Sequence, residues 1–275
     1  MRMAVLTPKE IADGYMNASV GKAASPAWRL FVLGVAAGLF IGLGAVVSST
    51  AAHGLEDAGM VRMVSGLFFP LGLIMVVLLG TELFTGNALM VTAALEKKIT
   101  WGGLARNWAI VYVGNFAGAV LLAAGMAFFG QLNIGGGDLA VYTAKVAANK
   151  ASMPWGNAFV LGIFCNLMVC IAVYLGNTSQ ETSGRIMGIF VPIMGFVLAG
   201  FEHCVANMYY VPAGIFANMN AAYAPLIAEA GINTAVLNFG AFFMNNLIPV
   251  TLGNIVGGVL VGLMMYYCHA TRQGK

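Results

Sequence analysis

Two long apolar stretches of this chain are each interrupted by the same polar pattern, Glu-x-x-x-x-Asn, at Glu82-Leu83-Phe84-Thr85-Gly86-Asn87 and at Glu202-His203-Cys204-Val205-Ala206-Asn207. No other feature constrains the fold as strongly. Irregular backbone at membrane depth persists only where protein or a water-filled cavity satisfies its polar groups. Each break therefore implies either a polar passage or a close packing partner. His203 sharpens the choice, because an ionisable side chain at such depth is expensive and marks function by default.

That these stretches lie in a membrane follows from composition. The chain is 60% hydrophobic and 8% charged, whereas a soluble domain carries about 25% charged residues. Six apolar segments, at 30–47, 63–79, 108–129, 158–175, 186–201 and 247–267, each approach the ~20 residues a helix needs to cross. The second and fifth continue past their breaks into short pieces, 88–95 and 208–216, which read as half-helices following an irregular loop. Their N-termini would favour an anion or an acceptor oxygen in the passage. The 36 glycines suit close helix packing in lipid. Net charge +3 calls for no nucleic acid partner. Cys165, Cys170, Cys204 and Cys268 fall in apolar segments without ligand spacing and read as buried, inert thiols. With no phosphate loop, metal cluster or nucleophile beside a base, neither an enzyme nor a cofactor or metal is expected.

The chain also repeats itself. Phe31-Val32-Leu33-Gly34 recurs as Phe159-Val160-Leu161-Gly162 at the heads of segments one and four. Segments three and six share an Asn and Gly pattern, Asn107, Gly114, Asn115 and Gly118 against Asn246, Gly253, Asn254 and Gly257. Three spans per half is an odd number, so the halves insert in opposite orientations, and broken helices meeting near the midplane are a transport architecture. The expected fold is all-α, six transmembrane helices in two inverted three-helix repeats with helices 2 and 5 broken. It forms a single channel domain over 1–275, with an N-terminal helix in 1–28 and repeats in 29–130 and 157–268.

Thr7-Pro8-Lys9-Glu10 reads as a helix start with a capping box. Ile11, Tyr15 and Ala18 then share a face, which suggests an amphipathic helix on the membrane or under the pore, or a plain surface helix. No apolar h-region precedes it, so no cleaved signal peptide is expected. With the N-terminus inside, ten basic residues are cytoplasmic (Arg2, Lys9, Lys22, Arg29, Lys97, Lys98, Arg106, Arg185, Arg272 and Lys275). Only three (Arg62, Lys145 and Lys150) lie outside. Both termini are expected in the cytoplasm. Glu82 and Glu202, with Asn87 and Asn207, are expected to support the broken loops, while His203 can donate a hydrogen bond or exchange a proton.

Four ordered motifs carry a resemblance: Glu82-Leu-Phe-Thr-Gly-Asn, Asn166-Leu-Met-Val-Cys, Gly200-Phe-Glu-His-Cys-Val-Ala-Asn and Asn246-Leu-Ile-Pro-Val-Thr-Leu-Gly-Asn. Together they closely resemble the signature stretches of the formate/nitrite transporter family, over nearly the whole chain. The resemblance implies an aquaporin-like protomer, a homopentamer around a lipid-plugged axis, and one pore per protomer in a bacterial or archaeal inner membrane. It implies His203 as the central pore histidine, with Asn166 and Asn254 beside it and Thr85 as the loop threonine near it. It implies an outer constriction of Phe69 and Phe196, an inner one of Leu73, Leu83 and Val169, and Lys150 as the vestibule lysine that draws anions in. The cargo so implied is a small monovalent weak acid moving with a proton or as an anion. The motifs at Asn166 and Asn246 look closest to the formate branch, whereas the Thr85-Gly86-Asn87 loop leaves hydrosulfide or nitrite as alternatives. A membrane subunit of a respiratory enzyme would need paired axial ligands for haem, and only His203 lies deep. A neutral-solute channel would share the fold but use paired Asn-Pro-Ala loops, which this chain lacks.

Overall fold

The computed structural model describes residues 5–270, so Arg2, Arg272 and Lys275 of the charge count lie outside the described residues. Among the described residues six helices are long and apolar enough to cross a membrane: Ala27–Ala52, Ala58–Leu78, Trp101–Phe128, Trp155–Gly176, Thr182–Ala199 and Phe239–His269. These match the six expected segments, each starting several residues earlier than apolar length alone indicates. Side-chain caps mark several starts. Asp57 accepts from the Met60 N–H at 2.8 Å, Thr100 from Gly103 at 2.9 Å and Asn238 from Ala241 at 2.9 Å, satisfying donors that the helix itself leaves open. The last span opens with a π-helical stretch, Phe242–Leu247, that the hydrophobic pattern does not reveal.

Spans one and three pack along each other, as do spans four and six, so the two halves are built alike. Glycine sets the approach. A Cβ on Gly38 or Gly118 would fall on the carbonyls of Asn115 or Val35, and one on Gly253 or Gly257 on those of Phe159 or Ile163. Backbones this close exclude any side chain at these positions.

The breaks are shorter than the sequence suggests. Spans two and five stop at Gly80 (φ 66°) and Gly200 (φ 73°), left-handed positions that glycine adopts without strain. Helix then resumes at Phe84 and at Cys204, not at 88 and 208. Thr85, Gly86, Asn87, Ala206 and Asn207 therefore sit in the first turns of the half-helices Phe84–Leu95 and Cys204–Met219, one turn earlier than expected. The physical reason is the cap: Leu83 and His203 take the extended N-cap conformation, and neither is a residue that signals a helix start.

Two further helices place charge. Asp138–Ala151, in a region read as an outer loop, carries Lys150 in its last turn. The N-terminal helix Pro8–Ala24 has the expected capping box, Thr7 N–H donating to Glu10 Oε2 at 2.8 Å. These bonds to the Thr7 backbone and hydroxyl hold the Glu10 carboxyl below its usual pKa range. Its buried face is Ile11, Ala12, Met16 and Ser19, rotated from the Ile11, Tyr15 and Ala18 stripe. Ala18 instead lines a cavity beneath the spans with Gly14 and Gly21. Of the four cysteines three are buried, while Cys268 is exposed at the end of the last span.

Candidate functional site

Each break is held by the same set of hydrogen bonds, made by repeat-related residues. On one side Lys22 Nζ donates to Glu82 at 3.0 Å, and Asn87 Nδ2 donates to Glu82 at 2.6 Å and to Asn107 Oδ1 at 2.8 Å. On the other, Lys150 Nζ donates to Glu202 at 2.8 Å, and Asn207 Nδ2 donates to Glu202 at 2.6 Å and to Asn246 Oδ1 at 2.7 Å. The backbone of each loop is carried by a second asparagine. Asn115 Nδ2 donates to Gly34 O and Glu82 O while its Oδ1 accepts from Phe84 N–H. Asn254 does the same for Gly162 O, Glu202 O and Cys204 N–H. Both carboxylates are thus taken from water with a lysine and an amide donor in place, and Glu202 accepts a second amide, Asn246 Nδ2, at 3.3 Å.

His203 joins the two broken loops. Its Nδ1 accepts the Ala206 N–H at 3.0 Å, capping the half-helix, and its Nε2 lies 2.9 Å from Thr85 Oγ1 in the other half. An Nδ1 that accepts carries no hydrogen, so in the neutral ring the proton is on Nε2 and points at Thr85. The Phe196 ring stacks on the imidazole with centroids 6.1 Å apart and meets Phe69 edge-on at 5.6 Å.

Two cavities flank this point. One, of about 610 Å³, lies under the N-terminal helix and is lined by Lys22, Glu82, Asn87, Leu73 and Leu83 among others. The second, of about 330 Å³, is lined by Lys150, Glu202, Asn207, His203, Phe69 and Phe196 among others. Of the residues singled out from sequence, the structure gathers Phe69, Phe196 and His203 on one cavity and Leu73 and Leu83 on the other. Thr85, Asn166, Asn254 and Val169 line neither cavity. Asn166 Nδ2 donates to Thr85 O at 3.1 Å and Asn254 O at 2.6 Å, so both asparagines brace the loops behind His203. Lys150 is bound to Glu202 and lies 5.4 Å from the Tyr210 ring centroid, a placed cation and not a solvated loop lysine.

Sequence reasoning did not single out Lys22, Asn107, Asn115 or Asn246 as site residues. The signal was present for Lys22: it precedes Phe31 of the repeated Phe-Val-Leu-Gly by nine residues, and Lys150 precedes Phe159 by the same nine. Tyr15, whose hydroxyl donates to Gly86 O at 2.8 Å, had no such signal.

Comparison with known proteins agrees with this architecture. Residues 9–268 match the family model described as formate/nitrite transporter. The formate channel FocA of Haemophilus influenzae is 38% identical over 272 residues, covering 97% of this chain and 95% of that protein. A protein described as a probable formate transporter from Methanothermobacter thermautotrophicus is 39% identical over 279 residues, covering 95% of this chain and 96% of that one. A solved pentameric formate channel with formate bound superposes with a TM-score of 0.79 at 36% identity, covering 88% of this chain and 96% of its own. With six spans, two broken helices and a family match over almost its full length, this chain belongs to the formate/nitrite transporter family.

Proposed function

We propose that the protein is a channel for a small monovalent weak-acid anion, formate before hydrosulfide or nitrite, working as a homopentamer in a bacterial or archaeal inner membrane. Both termini face the cytoplasm, so the cavity under the N-terminal helix is the inner vestibule and the Lys150 cavity the outer one. The observation that carries this reading is the position of His203, bonded to Thr85 and stacked on Phe196, with a lysine–carboxylate cluster on either side. The formate channels among the relatives support formate as the first cargo to test.

The physical logic runs from the two vestibules inward. An anion entering a ring of Phe69, Phe196, Leu73 and Leu83 loses hydration at a cost of many kcal/mol, whereas a neutral acid loses far less. The half-helix N-termini draw anions into the vestibules, where Lys22 and Lys150 are each balanced by a carboxylate. At the centre the neutral imidazole offers its Nε2–H, so an anion that displaces the Thr85 contact gains a donor where it has least water. Moving a proton from His203 to the anion requires the imidazolium first, and then Nδ1 gives up its bond to Ala206 N–H. Hydrogen-bond donation is therefore the resting role of His203, and proton transfer is a second step linked to loosening the half-helix cap.

Flux into proteoliposomes tests this directly, comparing formate with hydrosulfide and using nitrite as competitor at two pH values. Fast formate flux blocked by nitrite is the expected result. Hydrosulfide flux with little formate movement would reassign the cargo, and no flux of any of the three would end the channel reading.

A further inference from the structure

The two vestibules share their inner clusters but differ at their mouths. In the outer vestibule every lining cation is engaged. Lys150 is bonded to Glu202, and Arg62 Nη1 donates to Leu198 O at 3.1 Å, closing the end of span five. In the inner vestibule Lys22 is likewise engaged, with Glu82 and Asn87. Two more cations line that same cavity, Arg29 and Arg185. Neither guanidinium has a hydrogen-bond or ion-pair partner among the described residues, and Arg185 Nε is buried with no acceptor at all. The carboxylates that share the cavity are already taken, Glu10 by Thr7 and Glu82 by Lys22 and Asn87.

A buried guanidinium N–H without an acceptor is rare in a folded protein and asks for a reason. The guanidinium fork matches a carboxylate in shape and charge, and is weakly hydrated compared with an ammonium. Resting on the channel reading above, we propose that Arg29 and Arg185 form a carboxylate-binding station at the cytoplasmic mouth, ahead of Lys22, with no counterpart outside. It captures the anion on the cytoplasmic side and lowers the concentration needed to load the pore from within. The rate at the constriction is untouched, because both arginines lie outside it. A lipid phosphate offers related chemistry and would occupy the arginines without affecting capture.

The test uses the full chain in bacterial membrane vesicles of both orientations, with formate as probe at low ionic strength. Removing one fixed charge is expected to weaken capture about threefold, the Coulomb factor for unit charges about 7 Å apart in water. Arg29→Gln/Arg185→Gln should raise the half-saturation concentration about tenfold in inside-out vesicles. It should leave right-side-out vesicles and both maximal rates unchanged. The paired Arg→Lys variant should restore most of the loss, and added salt should shrink the difference as the Debye length falls. If the double variant fails to reach the membrane, Arg29→Gln alone, at an exposed position, carries the test at about threefold. An unchanged half-saturation in inside-out vesicles overturns the station and leaves lipid phosphate as the partner. Equal losses in both orientations also overturn it, by showing general damage. Wild-type vesicles without formate flux remove the channel reading and this site together, whereas wild-type flux with an unaltered variant removes the site alone.

Discussion

The two broken loops are the most alike and the most unlike parts of the molecule. Both are fixed by Lys, Glu and two Asn in the same bonding pattern, and by a further Asn that cradles the loop backbone. Yet the residue capping the half-helix is Leu83 in one and His203 in the other. Thr85 stands where the second loop has Val205, so the hydrogen bond between Thr85 and His203 joins two positions at which the loops differ. The repeat builds the scaffold twice, and the departures from it set His203 against Thr85. A second departure concerns the lysines: Lys22 also donates to Asn87 Oδ1 at 3.0 Å, while the matching Asn207 Oδ1 is buried without a partner. Lys22 reaches in from the N-terminal helix, so that helix is bonded directly to the first loop.

If the shared scaffold is as equal as it looks, matched substitutions should cost the two halves alike. The largest loss is expected from Lys150→Met or Lys22→Met, each leaving a buried carboxylate without its cation. Either should destabilise the protein by about 3 kcal/mol or more, largely recovered when Glu202→Gln or Glu82→Gln is added. Thermal unfolding of the purified protein reads this, and recovery in one half only would break the equivalence. Next come Asn115→Ala and Asn254→Ala, each removing three bonds, two of them to the loop, at about 2–3 kcal/mol apiece. Their stability losses should match, but only Asn254→Ala should also shift the pH profile of flux, because only its loop carries His203. Gly118→Ala and Gly257→Ala should each cost about 1–3 kcal/mol through backbone overlap, whereas Gly14→Ala, with open space around its position, should cost nothing measurable. Among the substitutions that remove a contact, the smallest loss is expected from Tyr15→Phe, about 1 kcal/mol for one hydrogen bond. That contact has no mate in the other half, and faster amide exchange at the N-terminal helix would report its loss.

Much of this was legible before the structure. The six spans follow from apolar length alone, and the inverted arrangement follows from an odd number of spans per repeat. The breaks were placed correctly but drawn too long. Asn87 and Asn207 look like loop residues, yet they occupy first helical turns because their side chains reach back to Glu82 and Glu202. Asp138–Ala151 falls in a stretch that apolar length alone leaves as an outer loop, and the structure shows it as a helix that follows Gly135, Gly136 and Gly137, all at positive φ. Asn166 and Asn254 are expected beside His203, and their amide groups are bonded to the backbone that shapes the loops, a detail that motif spacing does not carry. Arg29 and Arg185 entered only as two of ten charges setting orientation, since their lack of partners is a property of three-dimensional packing.

The central claim is that the difference between Leu83 and His203 turns a symmetric scaffold into a selective pore. Formate flux through His203→Leu, measured from pH 5 to pH 8 beside the wild type, tests it most directly. Leucine already occupies the equivalent cap in the first half, so the loop should form, at about 1 kcal/mol for the lost cap bond. The account predicts a fall of about tenfold or more at neutral pH, the loss of one hydrogen bond to a charged group. Residual flux should be confined to the acid side, where the neutral acid is most abundant. A variant that folds, assembles and carries formate with the wild-type rate and pH profile would contradict the account.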